Sequence, residues 1–258
     1  MALRELRLSN EHAVYVDRLV KRYGKTVALR GISFYVDEGE VFGLVGPNGA
    51  GKTTTLRILA TLLLPTSGSV KIFGMDIVKD ANRIRRLISY LPEEAGTYKN
   101  ITGYEYLSMI AHIYFNSKKD IEEAIELGIK IAGIGDRVYD KMKTYSKGMQ
   151  RRIQLARALM VKPRLAILDE PTSGLDVVQA IEIRETIRYF AKKLGITIVM
   201  SSHNMLEVQE ICDRVAIIDS GRILEQGFIT ELLSKYGVES LEKLFINLIR
   251  GETRRESA

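Results

Sequence analysis

The chain has a single cysteine, Cys212, among 258 residues. A lone thiol closes no internal disulfide, and nothing around it has metal-ligand spacing, so a disulfide framework and a cysteine-held metal are both excluded. A reduced, cytosolic setting is the expectation. No apolar run approaches the ~18 residues that a membrane-spanning helix needs, so the chain is not expected to cross a bilayer itself. The start of the chain lacks a secretory core: Arg4, Glu5 and Arg7 fall where apolar residues would stand, and residues 1–12 read as a lead-in. Repeats and low-complexity segments are missing too. Neither sign of charge dominates, with 38 Lys and Arg against 32 Asp and Glu for a net +6. The two signs alternate, as at Lys118-Lys119-Asp120, so charge alone does not call for nucleic acid. The 46% of hydrophobic and 27% of charged residues are those of a soluble globular protein long enough for a full core.

One stretch organises what is present. Gly46-Pro47-Asn48-Gly49-Ala50-Gly51-Lys52-Thr53-Thr54 fits G-x-x-x-x-G-K-[ST]. The apolar segment Val41 to Val45 precedes it and reads as a buried parallel strand. Leu56, Leu59, Ala60 and Leu63 follow at helical spacing, so a helix is expected to begin where the glycines end. Glycines let the backbone wrap a triphosphate, and the helix N-terminus adds about half a positive charge. Lys52 is expected at the β- and γ-phosphates and the Thr53 hydroxyl at Mg²⁺.

Other segments gain meaning from this clamp. Strands are expected over Ala13–Val20, Val27–Val36, Val70–Phe73 and Ile88–Leu91, with a turn at Lys21 to Lys25 and a basic helix over Asp80–Leu87. Tyr23 lies beside that turn, free to stack on a purine or to pack. From Thr102, with Glu105 completing a capping box, two helices are expected, about Thr102–Phe115 and Asp120–Ala132. Ser146 and Gly148 precede a third; taken alone they read as a plain cap sooner than as an anion site. The buried strand Leu165 to Leu168 delivers Asp169 and Glu170 at its carboxyl end, where parallel sheets bind ligands. Two acids there suit a division of labour, Asp169 holding Mg²⁺ and Glu170 polarising the attacking water. Asp176 caps a long helix to Lys193. A further strand, Ile196 to Met200, runs into Ser201-Ser202-His203, a histidine either structural or at the γ-phosphate. A helix over Met205–Cys212, a hairpin around Asp219-Ser220-Gly221 and two short helices finish the chain, with Arg250 to Ala258 expected to fray.

In this order, the clamp, Ser146-x-Gly148, Asp169-Glu170, Ser173-Gly174-Leu175-Asp176 and His203 resemble the nucleotide-binding subunit of ATP-binding cassette (ABC) transporters, over about Val14 to Gly227. The resemblance implies an α/β fold: a P-loop NTPase core of RecA-like, mostly parallel sheet, with an antiparallel β subdomain and a helical insertion. Its implied domains are a cassette at 13–229 with the helical part at about 95–160, then a helical tail at 230–258. It implies that Tyr23 stacks on adenine and that Gly46, Pro47, Asn48, Gly49, Ala50, Gly51, Lys52, Thr53 and Thr54 hold the phosphates. Ser146 and Gly148 serve the nucleotide in trans, Asp176 belongs to the nucleotide-binding segment that crosses between the two sites, and Thr53 and Asp169 serve the Mg²⁺. Glu170 is the implied base, His203 the γ-phosphate sensor. Two positions depart from the pattern. The signature here is Tyr145-Ser146-Lys147-Gly148-Met149 where the family has Leu-Ser-Gly-Gly-Gln. Glu93 stands where the family has a glutamine that touches Mg²⁺, and a carboxylate there remains a metal ligand.

Tyr90-Leu91-Pro92-Glu93, that signature and Ser240 to Phe245 are similar to the exporter branch that includes daunorubicin-resistance and ABC-2-type systems. The resemblance implies an ATPase with ATP and Mg²⁺ as its ligands, at the cytoplasmic face of the membrane. Its partners are then a separate membrane permease, docked on Pro92 to Thr102 and the helical insertion, and a second copy or homologous subunit. No nucleic acid is expected. The competing expectation is a nucleic-acid- or ribosome-associated ATPase on the same cassette. The short spacing from Thr54 to Ser146, without sustained heptads, speaks against it.

Overall fold

The computed structural model describes residues 12–96 and 98–256. It divides into two compact units, one from the residues up to Arg86 together with those from Thr197 on, the other Leu87–Ile196. The expected lead-in lies, apart from His12, outside the described residues. In chain order the elements are β1 (Val14–Tyr23), β2 (Thr26–Val36), β3 (Val41–Val45), α1 (Lys52–Leu59), β4 (Ser67–Ile72), β5 (Met75–Asp76), α2 (Ala81–Ile84) and β6 (Ile88–Leu91). Then come α3 (Gly103–Tyr114), α4 (Lys118–Ala132), α5 (Lys147–Leu159), β7 (Leu165–Asp169) and α6 (Val177–Leu194). The chain ends with β8 (Thr197–Ser202), α7 (Met205–Ile211), β9 (Arg214–Asp219), β10 (Arg222–Phe228), α8 (Ile229–Tyr236) and α9 (Leu241–Glu256).

The first unit holds two sheets. β2, β1, β4 and β5 form an antiparallel sheet in that order. β3 lies between β8 and β9 and runs parallel to both, and β10 returns antiparallel along β9. All five residues of β3 are buried, as a continuous apolar run in a covered parallel strand requires. Phe34 of β2 stacks on Phe42 of β3 with ring centroids 5.3 Å apart, joining the two sheets through the core.

The second unit packs α3, α4 and α5 together and pairs β6 with β7 in parallel. The capping box at α3 is as expected: Glu105 N–H donates to the Thr102 hydroxyl, and Thr102 N–H to the Glu105 carboxylate. Two 3₁₀ turns, Gly135–Tyr139 and Met142–Thr144, lead to α5.

Several boundaries differ from expectation. Lys21 to Tyr23 are strand, because Arg22 and Tyr23 pair with Val27 and Thr26 and zip the hairpin down to a two-residue turn. α1 stops at Leu59, short of Leu63: Thr61 turns left-handed (φ 60°), with its N–H on Ile58 O and Leu62 N–H on Arg57 O. The basic helix of Asp80–Leu87 is one turn, Ala81–Ile84. α9 is a sixteen-residue helix that continues to Glu256 where fraying from Arg250 was expected.

Candidate nucleotide site

In the first unit β3 leads into the clamp loop, and two glycines fix its path. A Cβ at Gly46 would stand 2.0 Å from the Ile218 carbonyl oxygen of β9, which only glycine allows. Gly51 is left-handed (φ 110°) and presses on the Ala28 carbonyl and Leu29 of β2. Gly46 N–H donates to Ser202 O at the end of β8, and Gly221 N–H, in the turn between β9 and β10, donates to Ala50 O, so two neighbouring segments buttress the loop.

α1 then starts on Gly51 with no side-chain cap and no acid in its first turn. Lys52 is buried, its ammonium turned back onto the carbonyl oxygens of Gly46 (2.7 Å) and Pro47 (3.1 Å). A buried cation in a glycine loop at the bare end of a helix is suited by its charge to a polyanion. Thr53 is the second residue of the helix, half-buried. His203 is exposed and directly follows the Ser202 whose carbonyl holds Gly46. Ser202 Oγ donates to the buried Glu207 carboxylate (2.9 Å) and accepts from Asn204 N–H, so the turn carrying His203 is pinned on both sides. Tyr23 ends β1 and is 47% exposed, with the Lys21 ammonium 5.2 Å from its ring centroid; an open aromatic face remains for stacking.

In the second unit β7 delivers Asp169 and Glu170, both buried. Tyr90 of β6 donates its phenol hydrogen to Asp169 Oδ2 at 3.3 Å. Glu170 has a left-handed backbone (φ 46°), a conformation a non-glycine residue keeps only when its surroundings impose it. Glu93 is exposed, and its carboxylate accepts from Ser173 Oγ at 3.1 Å. Ser146 caps α5 by accepting from Met149 N–H. Asp176 caps α6 by accepting from Gln179 N–H at 2.9 Å. The Gln179 side chain covers Gly148, so one residue of α6 touches both the signature and the cap. Lys147, where the family pattern has glycine, lays its ammonium over Gly174.

The candidate residues therefore fall into two groups: Tyr23, residues 46–54 and His203 in the first unit; Glu93, Ser146, Gly148, Asp169, Glu170 and Asp176 in the second. Sequence reasoning missed Arg151 and Gln179, and it named Ser173 within a motif without giving it a role. Arg151 had left a signal: with Gln154 it puts polar side chains on the buried face of α5, which a merely amphipathic helix would fill with apolar ones. Among the described residues no group of three or more His, Cys, Asp or Glu could hold a metal by itself.

A strand, a glycine loop closing on a lysine and a helix with a bare N-terminus define a P-loop nucleotide-binding protein. The ABC transporter family model matches residues 29–173. The linearmycin resistance ATP-binding protein of Bacillus subtilis (strain 168) is 36% identical over 231 residues, covering 90% of this chain and 74% of that protein. The daunorubicin/doxorubicin resistance ATP-binding protein of Streptomyces peucetius is 38% identical over 226 residues, 87% of this chain and 68% of its own. Among solved structures, an ATP-binding subunit of an ABC transporter superposes with a TM-score of 0.81 at 28% identity, covering 92% of this chain and 99% of that one. CbiO1 of Clostridium perfringens, part of an ABC transporter complex, gives 0.80 at 28% identity, over 95% and 99%. This chain belongs to the ATP-binding subunits of the ABC transporter family, and the expected fold is the one it has.

Proposed function

We propose that this chain binds and hydrolyses MgATP, closes in pairs on two nucleotides, and so drives export through a separate membrane subunit. One observation carries the reading. Of the nine helices in the described residues, seven have an acid at the N-cap or in the first turn. The two without one are α1, which follows the clamp, and α5, which follows Ser146. Acids normally gather at helix starts because the positive dipole end favours them. Leaving these two ends free of negative charge suits phosphate, which an adjacent carboxylate would repel.

Lys52 then neutralises the β- and γ-phosphates while the clamp backbone wraps them, and Tyr23 stacks on the adenine. Thr53 and Asp169 would hold Mg²⁺, with Glu93 as a further oxygen donor; the ion would screen charge on the transferred phosphoryl group. Glu170 orients the attacking water and takes its proton, and His203 reads the γ-phosphate. Ser146 and Gly148 receive the nucleotide held by the partner copy, and Asp176 stands in the crossing segment, which makes the pair symmetric or nearly so. No helix of the described residues is long and apolar enough to cross a membrane, consistent with a membrane subunit on another chain. Export is supported by the relatives, two of which are named for resistance to linearmycin and to daunorubicin or doxorubicin.

The test is Glu170→Gln. It should bind ATP as the parent does, hydrolyse it at least ~100-fold more slowly, and elute as an ATP-dependent dimer. Parent-like turnover would remove Glu170 from the role of base. Stimulation of the parent by DNA or ribosomes would favour the competing expectation over a transporter.

A further inference from the structure

A guanidinium carries five N–H donors and no acceptor. In Arg151, buried on α5, all five are used, each on a main-chain carbonyl. Nε donates to Pro171 O at 2.6 Å. Nη1 donates to Pro92 O (2.9 Å) and Glu93 O (3.2 Å). Nη2 donates to Asp169 O (3.0 Å) and Glu170 O (2.7 Å). Desolvation lowers its pKa to about 10, opposed by the negative charges of Asp169, Glu93 and Glu170, so the group is a cation at neutral pH.

These acceptors come from two segments far apart in sequence. One leaves β6 at Pro92 and Glu93, the stretch expected to meet a membrane partner. The other leaves β7 and carries the two carboxylates. Three successive carbonyls, those of Asp169, Glu170 and Pro171, turn onto the one guanidinium, and the middle residue is the left-handed Glu170. Such a backbone persists only where its surroundings over-determine it, and here five charge-assisted hydrogen bonds do so. The same planar fork pins Pro92 and Glu93, so neither segment shifts without disturbing the other's hydrogen bonds. Arg151 also lies one helical turn from Ser146 and Gly148, which ties the signature helix into the same joint.

We infer that Arg151 is a positioning residue: its guanidinium sets the backbone at Glu170, and hence the aim of that carboxylate, and couples it to Pro92–Glu93. Displacing the Pro92–Glu93 segment then changes the rate of hydrolysis and leaves ATP affinity alone. The inference rests on the reading of Glu170 as the base.

Arg151→Lys and Arg151→Gln test it in the full chain, beside Glu170→Gln. Lysine keeps the charge and much of the stem, but its single nitrogen cannot span five carbonyls. Both Arg151 variants should lose kcat ~10- to 100-fold with the ATP dissociation constant, read by calorimetry, within about twofold of the parent. A purely structural role would instead lower the melting temperature and the active fraction, with kcat per folded molecule unchanged. Parent-like kcat in Arg151→Lys beside an inactive Glu170→Gln overturns this inference alone. Parent-like kcat in Glu170→Gln overturns the base assignment and this inference with it. If neither Arg151 variant folds, hydrogen exchange on the parent decides. Amides of 88–96 and 169–173 opening at one common rate support the coupling, and separate rates overturn it.

Discussion

The helix starts of this molecule are of two kinds. At α3, α4 and α7 the N-cap is Thr102, Ser117 or Asn204, and the third helical residue is an acid, Glu105, Asp120 or Glu207, whose N–H bonds back to the cap. At α1 and α5 the corresponding third residues are Thr54 and Met149. The first kind uses its own side chains to satisfy the orphan N–H groups and the dipole. The second leaves the dipole without an acid, forgoing ~0.3–1 kcal/mol at each of two particular helices, although Ser146 still caps α5 through Met149 N–H. Local stability has been yielded at the two ends where the proposed function needs to receive an anion from outside the chain.

Putting an acid where none stands breaks the comparison most directly. Thr54→Glu would place a carboxylate at the third position of α1, within several ångströms of any phosphate bound in the clamp. At an effective dielectric of ~20, that repulsion is worth a few kcal/mol, so ATP affinity should fall ~100-fold. The melting temperature should not fall with it, because the same charge suits the bare helix end. Calorimetric titration with ATP beside a thermal melt reads both, and loss of stability with affinity intact would show that the bare end has no ligand.

Met149→Glu is the matching change at α5, with a smaller effect. It supplies the missing half of a capping box with Ser146, worth a few tenths to ~1 kcal/mol of stability. Turnover should fall ~10-fold, as the charge is more exposed and screened and acts on the nucleotide of the partner copy. Binding of ATP to the isolated subunit should be unaffected, and a fall there equal to that in turnover would place the signature and clamp in one subunit's site.

Much of this contrast was legible in the sequence, because it lies in short-range chemistry. The clamp, the Thr102–Glu105 box, the Asp176 cap and the strand ending at Asp169 each follow from residues within a few positions of one another. What escaped depends on partners distant in the chain. β5 is two residues held by pairing with β4, and α1 ends early on a left-handed Thr61 that nothing in Ala60-Thr61-Leu62-Leu63 announces. Arg151 escaped for the same reason: its five acceptors are carbonyls, which every residue type possesses, so no motif encodes them. A charged residue on a buried helix face was the one trace it left.

The smallest effect belongs to the first kind of helix start. Thr102→Ala removes the cap of α3 and should cost ~1 kcal/mol, a fall of a few degrees in melting temperature. The Glu105 carboxyl adds a pH signature. The Thr102 N–H, and then the Thr102 side chain, hold its pKa below the ordinary 4.5. A carboxyl depressed in the folded state contributes stability that is complete above its unfolded value and is lost as pH falls through its folded value. From pH 7 to 3 the gap between the melting curves of the parent and Thr102→Ala should therefore narrow without closing, because the alanine keeps the main-chain N–H and the lost bond from Glu105 N–H to the hydroxyl does not depend on pH. Between the parent and Thr54→Glu the curves should come together in acid from the other side, the variant starting as the more stable. There the new carboxylate adds stability at neutral pH, and acid returns the variant to the parent; curves that diverge in acid would mean that this end of α1 does not welcome negative charge.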